Sequence, residues 1–422
     1  MNNSEAWQEL FRKYDILNQI EAKGRFEISA DQIRKYREPR IMTKFDHKIN
    51  LPVIFSKNEL AILPVTRGDY VIAHFDAYHR LEQNAAKPIR ASLPENIQSL
   101  DCNNIQSEAI ALSCAYAAGI IADFLKDASV IPTISGRMGT GIFSFNIKGT
   151  QGKPLQPVKI SNAQMEIDAA YEGHSCLAIF EAKRELSEDF IVRQIYYPFR
   201  VWKTRITKTI RPIFFTYSNN IFSLYEYTFD EPESYSSIRL VRHENYSIED
   251  TDITTQDVMD ILHRVRTTTE PEGIPFPQAD TFERVINLCE LLGKHELSKQ
   301  NITEEYSFNE RQADYYANAG RYLGLIDKNG KATYSISRTG RNILRMSWKN
   351  RQLALCECIL SHKIFHATLI LYFRTGQMPS INDITKIIQH SELSRPISGD
   401  TQHRRSKTIQ SWLNWIVGLI TE

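Results

Sequence analysis

The sequence predicts a mixed α/β fold of the α+β kind in its first 270 residues, with a mixed central sheet, followed by a mostly helical second part. Three observations carry this prediction. Residues 164–183, QMEIDAAYEGHSCLAIFEAK, place two strand-like arms around the polar turn Glu172-Gly173-His174-Ser175, the pattern of a β-hairpin. Residues 210–229 hold two further apolar runs, IRPIFFTYS and NIFSLYEYTF, parted at Asn219-Asn220, which would complete a mixed sheet of about five strands. Beyond TTTEPEGIPFPQA at 267–279, with its three prolines, the pattern changes to helical periodicity broken by short turns.

A chain of 422 residues exceeds one typical core and implies two or three domains. Forty-two per cent hydrophobic and 24 % charged residues describe an ordinary soluble globular protein. The net charge is +1, so a nucleic-acid partner has to be argued from local charge and not from the total. Six cysteines show no CxxC spacing and are expected reduced and buried, with no zinc site. No basic segment followed by an apolar one opens the chain, and no run approaches 18 apolar residues. A cytoplasmic protein with no membrane association is therefore expected.

Residues 5–20 read as one amphipathic helix, and Ser29-Ala30-Asp31-Gln32 as the cap of a second. Between Leu51 and Leu81 the runs LPVIF, LAILPV and YVIAHF read as strands. Arg37, Arg40, Lys44, His47 and Lys48 precede them, either as a solvated face or as a patch facing DNA. Residues 104–125 read as one long helix carrying Glu108 near its start. Glycines 136, 139, 141 and 149, among Arg137, Lys148 and Lys153, suit a Gly-rich hairpin that lets backbone N–H groups approach phosphate. The Gly-Lys-Ser/Thr ending of a P-loop is missing.

Strand alternation puts Glu166 and Asp168 on one side of the first hairpin arm, and Glu181 and Lys183 on one side of the second. The second arm, CLAIFEAK, is apolar on both faces up to the Glu, as in a strand covered on both sides. Carboxylates buried there repel one another and lose hydration, which implies a divalent cation or a functional cleft. Oxygen-only ligands favour Mg²⁺ or Mn²⁺. A helix is expected from about Glu188 to Trp202, carrying Gln194.

The series Asp168, then Glu181-Ala182-Lys183 thirteen residues on, then Gln194, resembles the PD-(D/E)XK nuclease superfamily. The resemblance covers some 40 residues. It implies a restriction-endonuclease-like core in which Asp168 and Glu181, with the backbone carbonyl of Ala182, hold Mg²⁺, Mn²⁺ being able to substitute. Lys183 would orient the attacking water and Gln194 would support the site. Glu108 is the candidate for a further acid that such nucleases carry on a helix ahead of the hairpin, although a first-turn Glu also complements a helix dipole. Related exonucleases carry Gln-x-x-x-Tyr on the helix after the Lys. Here Pro198 stands four residues after Gln194, which disfavours the exonuclease branch and leaves the role of Gln194 open.

The expected domains are a nuclease domain at 1–270, a linker at 271–279, a winged helix-turn-helix at 280–345 and a second winged-helix-like module at 346–422. In the first module Asp280 and Glu283 cap a helix, Glu310–Leu323 forms another, and the Asn-Gly of DKNGKATYSIS turns a two-stranded wing. Asn309, Arg311, Gln312 and Tyr315 then face bases or phosphates, with Lys328 and Lys331 in the wing; the alternative is a winged helix that mediates protein contacts, with Tyr315, Tyr316 and Tyr322 filling its core. The second module has a long helix from Leu353 to Arg374, a short one opened by Ser380-Ile381-Asn382-Asp383, the loop SRPISGD, and a last helix from Thr401. That helix carries Arg404, Arg405 and Lys407 in its first turns. From Gly340 onward, 11 Lys and Arg stand against 5 Asp and Glu, or +6, as expected for phosphate binding, a solvated cationic tail being the alternative.

The resulting expectation is a type II restriction endonuclease cutting double-stranded DNA, working as a homodimer and paired with a cognate DNA methyltransferase. A repair or mobile-element nuclease and a winged-helix transcriptional regulator remain alternatives.

Overall fold

The computed structural model describes residues 2–82, 87–102, 105–306, 308–330, 333–391 and 399–421. Lys331 and most of the SRPISGD loop lie outside the described residues. The chain divides into two compact units, Met1–Asn84 with Leu112–Thr216 and Ser223–Glu244, and Ala85–Ala111 with Tyr217–Phe222 and Asn245–Glu422.

The first unit opens with two helices where one was expected. Asn3–Lys13, closed by an Asn2/Glu5 capping box, ends before Asp15, whose positive φ turns the chain into Ile16–Lys23. The Ser29/Gln32 capping box is present. LPVIF is not a strand: Val53–Lys57 is a helix that drives Phe55 edge-on against Trp7, ring centroids 4.8 Å apart. Aromatic burial outweighs the β preference of Val-Ile-Phe here. Arg25–Ser29, Asp69–Ala73 and Ala61–Pro64 form a three-stranded sheet in that order.

Among the described residues the large sheet has seven strands, ordered Ile89–Arg90, Ile238–Ser247, Ile221–Phe229, Thr209–Ser218, Cys176–Lys183, Gln164–Glu172 and Ile131–Gly139. The two strands expected around Asn219-Asn220 are there, and both asparagines take the positive φ of the tight turn. Cys176–Lys183 runs antiparallel to Gln164–Glu172 and parallel to Thr209–Ser218. A parallel neighbour requires a crossover, and the helix Arg193–Lys203 supplies it. It begins later than expected because Asp189–Ile191 is a short strand pairing with Tyr78–Arg80. The expected helix 104–125 is two, Glu108–Ala117 and Ile120–Leu125, broken at Gly119 with φ 74°.

In the second unit one hydrophobic core runs from Ile253 to Ile416. Helix Phe282–Leu292 is followed by strand Leu297–Ser298, helices Lys299–Glu305 and Glu310–Tyr322, and strands Ile326–Asn329 and Thr333–Ile336. The three strands form one small sheet with Thr333–Ile336 central. Segment 271–279 is packed where a linker was expected. Phe276 stacks on Phe365 at 5.9 Å, and Trp412 Nε1 donates to the Ala279 carbonyl at 2.6 Å. Asp280 does not cap the next helix, since its carboxylate accepts from Thr408 Oγ1 at 2.6 Å. The expected helix from Leu353 to Arg374 is two, Trp348–Leu360 and Lys363–Thr375, and the last two described helices are Ile381–Gln389 and Gly399–Gly418. No described helix is long and apolar enough to cross a membrane.

Gly340 lies where any Cβ would meet the Leu325 carbonyl oxygen and Ile336. Gly340→Ala is therefore expected to lower the free energy of unfolding by about 1–3 kcal/mol, read from urea melts of the full chain.

Candidate functional site

The site is built where two neighbouring strands part. The ladder between Gln164–Glu172 and Cys176–Lys183 runs from the Leu177↔Glu172 pair to Phe180↔Ala169. One step further, Asp168 Oδ2 accepts from the backbone N–H of Ala182 at 2.7 Å, so a side chain takes the donor at the point where the ladder ends. Such a bond to an ionised acceptor contributes about 1.5–3 kcal/mol. The first strand meanwhile stays paired with Ile131–Gly139 through Gly136↔Ile167 and Arg137↔Glu166.

Glu181 and Lys183 share a face, as alternation requires. Lys183 Nζ donates to Glu181 Oε1 at 2.5 Å, and the Gln194 amide donates to the same oxygen at 2.7 Å. Gln194 thus has a place despite the departure at Pro198: the crossover helix delivers it from its first turn. Glu166 does not join the group. It is exposed and pairs with Arg137 across the strands at 3.2 Å. Glu108 stands in the first turn of Glu108–Ala117, the position a helix dipole favours for a carboxylate.

Burial sets the electrostatics. It pushes the Asp168 carboxyl above its ordinary range, against the Lys183 ammonium and the Ala182 N–H. It pushes Glu181 up to about 8, opposed by Lys183 and reinforced by Asp168 and Asp46. Burial alone would pull Lys183 down, but Glu181, Asp46, Glu185 and Asp168 more than reverse this and hold it charged. The centre therefore carries an ammonium beside two carboxylates that resist simultaneous ionisation.

Four neighbours escaped the sequence reading. Asp46 is buried and acts electrostatically on Asp168, Glu181 and Lys183. His47, grouped above with surface cations, is only 2 % exposed. Its Nδ1 donates to the Asp189 carbonyl at 2.5 Å, and its Nε2 lies 3.5 Å from Glu185. Burial raises the Glu185 carboxyl, but His47 and Lys183 reverse that and bring it to about 2. Asp189 accepts from the Lys48 N–H at 3.0 Å. The one available signal was the tight run Glu181, Lys183, Glu185, Asp189, because nothing in the sequence ties Asp46 or His47 to it.

Among the described residues no group of three His, Cys, Asp or Glu side chains is arranged to hold a metal ion. The donor set still fits a hard dication that keeps most of its water: Asp168 and Glu181 offer two carboxylates whose mutual repulsion a dication would relieve.

In the second unit, Asn309 and Gln312 form the capping box of Glu310–Tyr322, Asn309 Oδ1 accepting from the Gln312 N–H at 2.8 Å. Their side chains are thereby engaged at the helix start and are not displayed as freely as expected. Arg311 is exposed and its Nε donates to Tyr315 Oη at 2.6 Å. On the last helix Arg404 and Lys407 are exposed, Thr401 and Arg405 are partly buried, and Lys328 is exposed in its strand.

Three family models match the chain, each described as a domain of unknown function: DUF6996 over residues 4–72, DUF6997 over 73–247 and DUF7226 over 284–421. The second of these spans Asp168, Glu181, Lys183 and Gln194, while Asp46 and His47 fall in the first. No curated protein and no solved structure matches.

Burial pulls the His47 imidazole down and Glu185, Asp189 and Asp46 more than reverse this, leaving it above 6.5. A raised imidazole stabilises the fold below 6.5 and loses that contribution as pH rises through its folded value. The depressed Glu185 carboxyl contributes above 4.5 and loses this as pH falls toward about 2. The pair thus contributes most between 4.5 and 6.5. His47→Gln is expected to cost about 3 kcal/mol in urea unfolding at about pH 5.5 and clearly less at about pH 9. Equal losses at both would assign His47 a packing role alone.

Proposed function

We propose that this chain is a divalent-metal-dependent endonuclease that hydrolyses phosphodiester bonds in double-stranded DNA, of the type II restriction class. The observation that carries the reading is the Asp168–Ala182 bond. It brings an acid from one strand against a Glu-x-Lys on the next, while Gln194 reaches the same Glu from the crossover helix. Glu181 and Lys183 also end a strand that has a parallel neighbour, and the carboxyl ends of parallel strands are where open α/β sheets bind ligands.

Each residue then has a role. Asp168 and Glu181, with the Ala182 carbonyl, would hold Mg²⁺ or Mn²⁺. The ion, when bound, polarises the phosphate and lowers the pKa of its water. Lys183 holds positive charge beside the phosphoryl oxygens, where negative charge grows during in-line attack, and it orients the water. Gln194 fixes the Glu181 carboxylate, and Asp46 with the His47–Glu185 pair holds the lysine in place.

The order helix, strand, helix, helix and two strands at 282–336 supports a winged helix-turn-helix for holding duplex DNA, its helix Glu310–Tyr322 in the recognition position. The described helices that follow, from Arg338–Leu344 to Gly399–Gly418, with the excess of cations after Gly340, support a second DNA-binding module. Cutting both strands takes two active centres, hence a homodimer, and a host carrying such an enzyme needs a companion methyltransferase.

The purified protein is expected to convert one long DNA into discrete fragments with Mg²⁺ or Mn²⁺ and to lose this with a chelator. Asp168→Ala and Lys183→Ala are each expected to reduce cleavage by about a hundredfold or more while leaving duplex binding within a fewfold of the parent. Cleavage retained in the double variant, or a smear without discrete fragments, would overturn respectively the mechanism and the restriction class.

A further inference from the structure

Two helices singled out separately in the sequence meet at one polar cluster in the second unit. Arg311 and Tyr315 come from Glu310–Tyr322, Arg405 from Gly399–Gly418, and Gln278 from the strap between them. With the Gln278 amide turned so that each end faces a matching group, its nitrogen donates to Tyr315 Oη at 3.0 Å and its oxygen accepts from both terminal nitrogens of Arg405 at 3.3 Å. Tyr315 Oη also accepts from Arg311 Nε at 2.6 Å, so its own proton remains to be donated.

We propose that Arg405, Tyr315 and Arg311, joined by Gln278, form one binding site for a backbone phosphate of duplex DNA, shared by the two helices. The inference rests on the DNA-binding reading above and deepens it. Three features support it. Every hydrogen-bonding group left over in the cluster is a donor, which suits a ligand offering several acceptor oxygens. Arg405 Nε is buried without a partner, and among the described residues no carboxylate forms an ion pair with Arg405, Arg404 or Arg311. Burial lowers Arg405 to about 10, Tyr315 opposing and the neighbouring Arg404 adding to the effect, so the guanidinium is held with its charge uncompensated. A desolvated cation of this kind is relieved by an anion, and the planar fork of Arg matches a phosphate. Exposed Arg404 and Lys407 extend the positive charge along the same helix.

The test uses the full chain carrying Asp168→Ala, bound to a labelled duplex across a salt series. Arg405→Ala is expected to weaken binding by about tenfold and to reduce the slope of log affinity against log salt by about one. Arg405→Lys should recover most of the slope but not all of the affinity, because it keeps the charge and loses the fork. Unchanged affinity and slope in an Arg405→Ala protein that melts like its parent would overturn the site. Should that variant fail to fold, Tyr315→Phe decides, since it keeps the ring and removes one donor: weaker binding supports the site and unchanged binding overturns it. A parent that binds no duplex would sink the DNA reading and this site together. A parent that binds, beside an Arg405→Ala variant that binds equally well, would sink this site alone.

Discussion

The candidate site of the first unit is organised by one hydrogen bond, from the Ala182 backbone N–H to the Asp168 carboxylate. Inside a sheet an N–H normally meets a carbonyl of the next strand, and a buried donor left without any acceptor is costly. By filling that place with a side chain, the protein lets two strands part while satisfying the backbone. The gap lies beside Glu181 and Lys183, so the same bond that ends the ladder assembles the site. Its strength depends on burial, because Cys176–Lys183 is covered along nearly its whole length.

The charges around Lys183 follow from that arrangement. Asp46, Asp168, Glu181 and Glu185 all act on one ammonium, and His47 takes up part of the excess through Glu185. A protein selected for stability alone has little reason to gather four acids around two bases where hydration is poor. The scaffold sustains the arrangement through the aromatic packing under the sheet, for instance Phe190 stacked on Phe214 at 4.3 Å. Held in this way, the carboxylates keep their positions although they repel.

The second unit uses its polar groups differently. Ser298, Asn309 and Ser380 each accept from a backbone N–H in the first turn of their helices, satisfying donors that have no partner within the helix. The proline-rich strap is tied down by Trp412 and Phe365, and Asp280 just after it by Thr408, because proline fixes the backbone but leaves its carbonyls and neighbouring rings free to pack. The strap thereby becomes part of the core and carries Gln278 to its place between two helices.

What the sequence by itself determined was whatever depends on residue order over short spans. Alternation along one strand put Glu181 beside Lys183. Asn219-Asn220 marked a turn that only residues tolerant of positive φ make easily, and Ser29-x-x-Gln32 marked a helix start. What only the tertiary structure decided was whatever depends on distant segments meeting. Val53–Lys57 became a helix because Phe55 had Trp7 to pack against, and 271–279 became a strap because Trp412 lay within reach. His47 went inside because Glu185 and Asp189, some 140 residues away, offered it acceptors. Local pattern carries no information about which far segment will supply a partner, and burial by such a partner outweighs a residue's intrinsic preference.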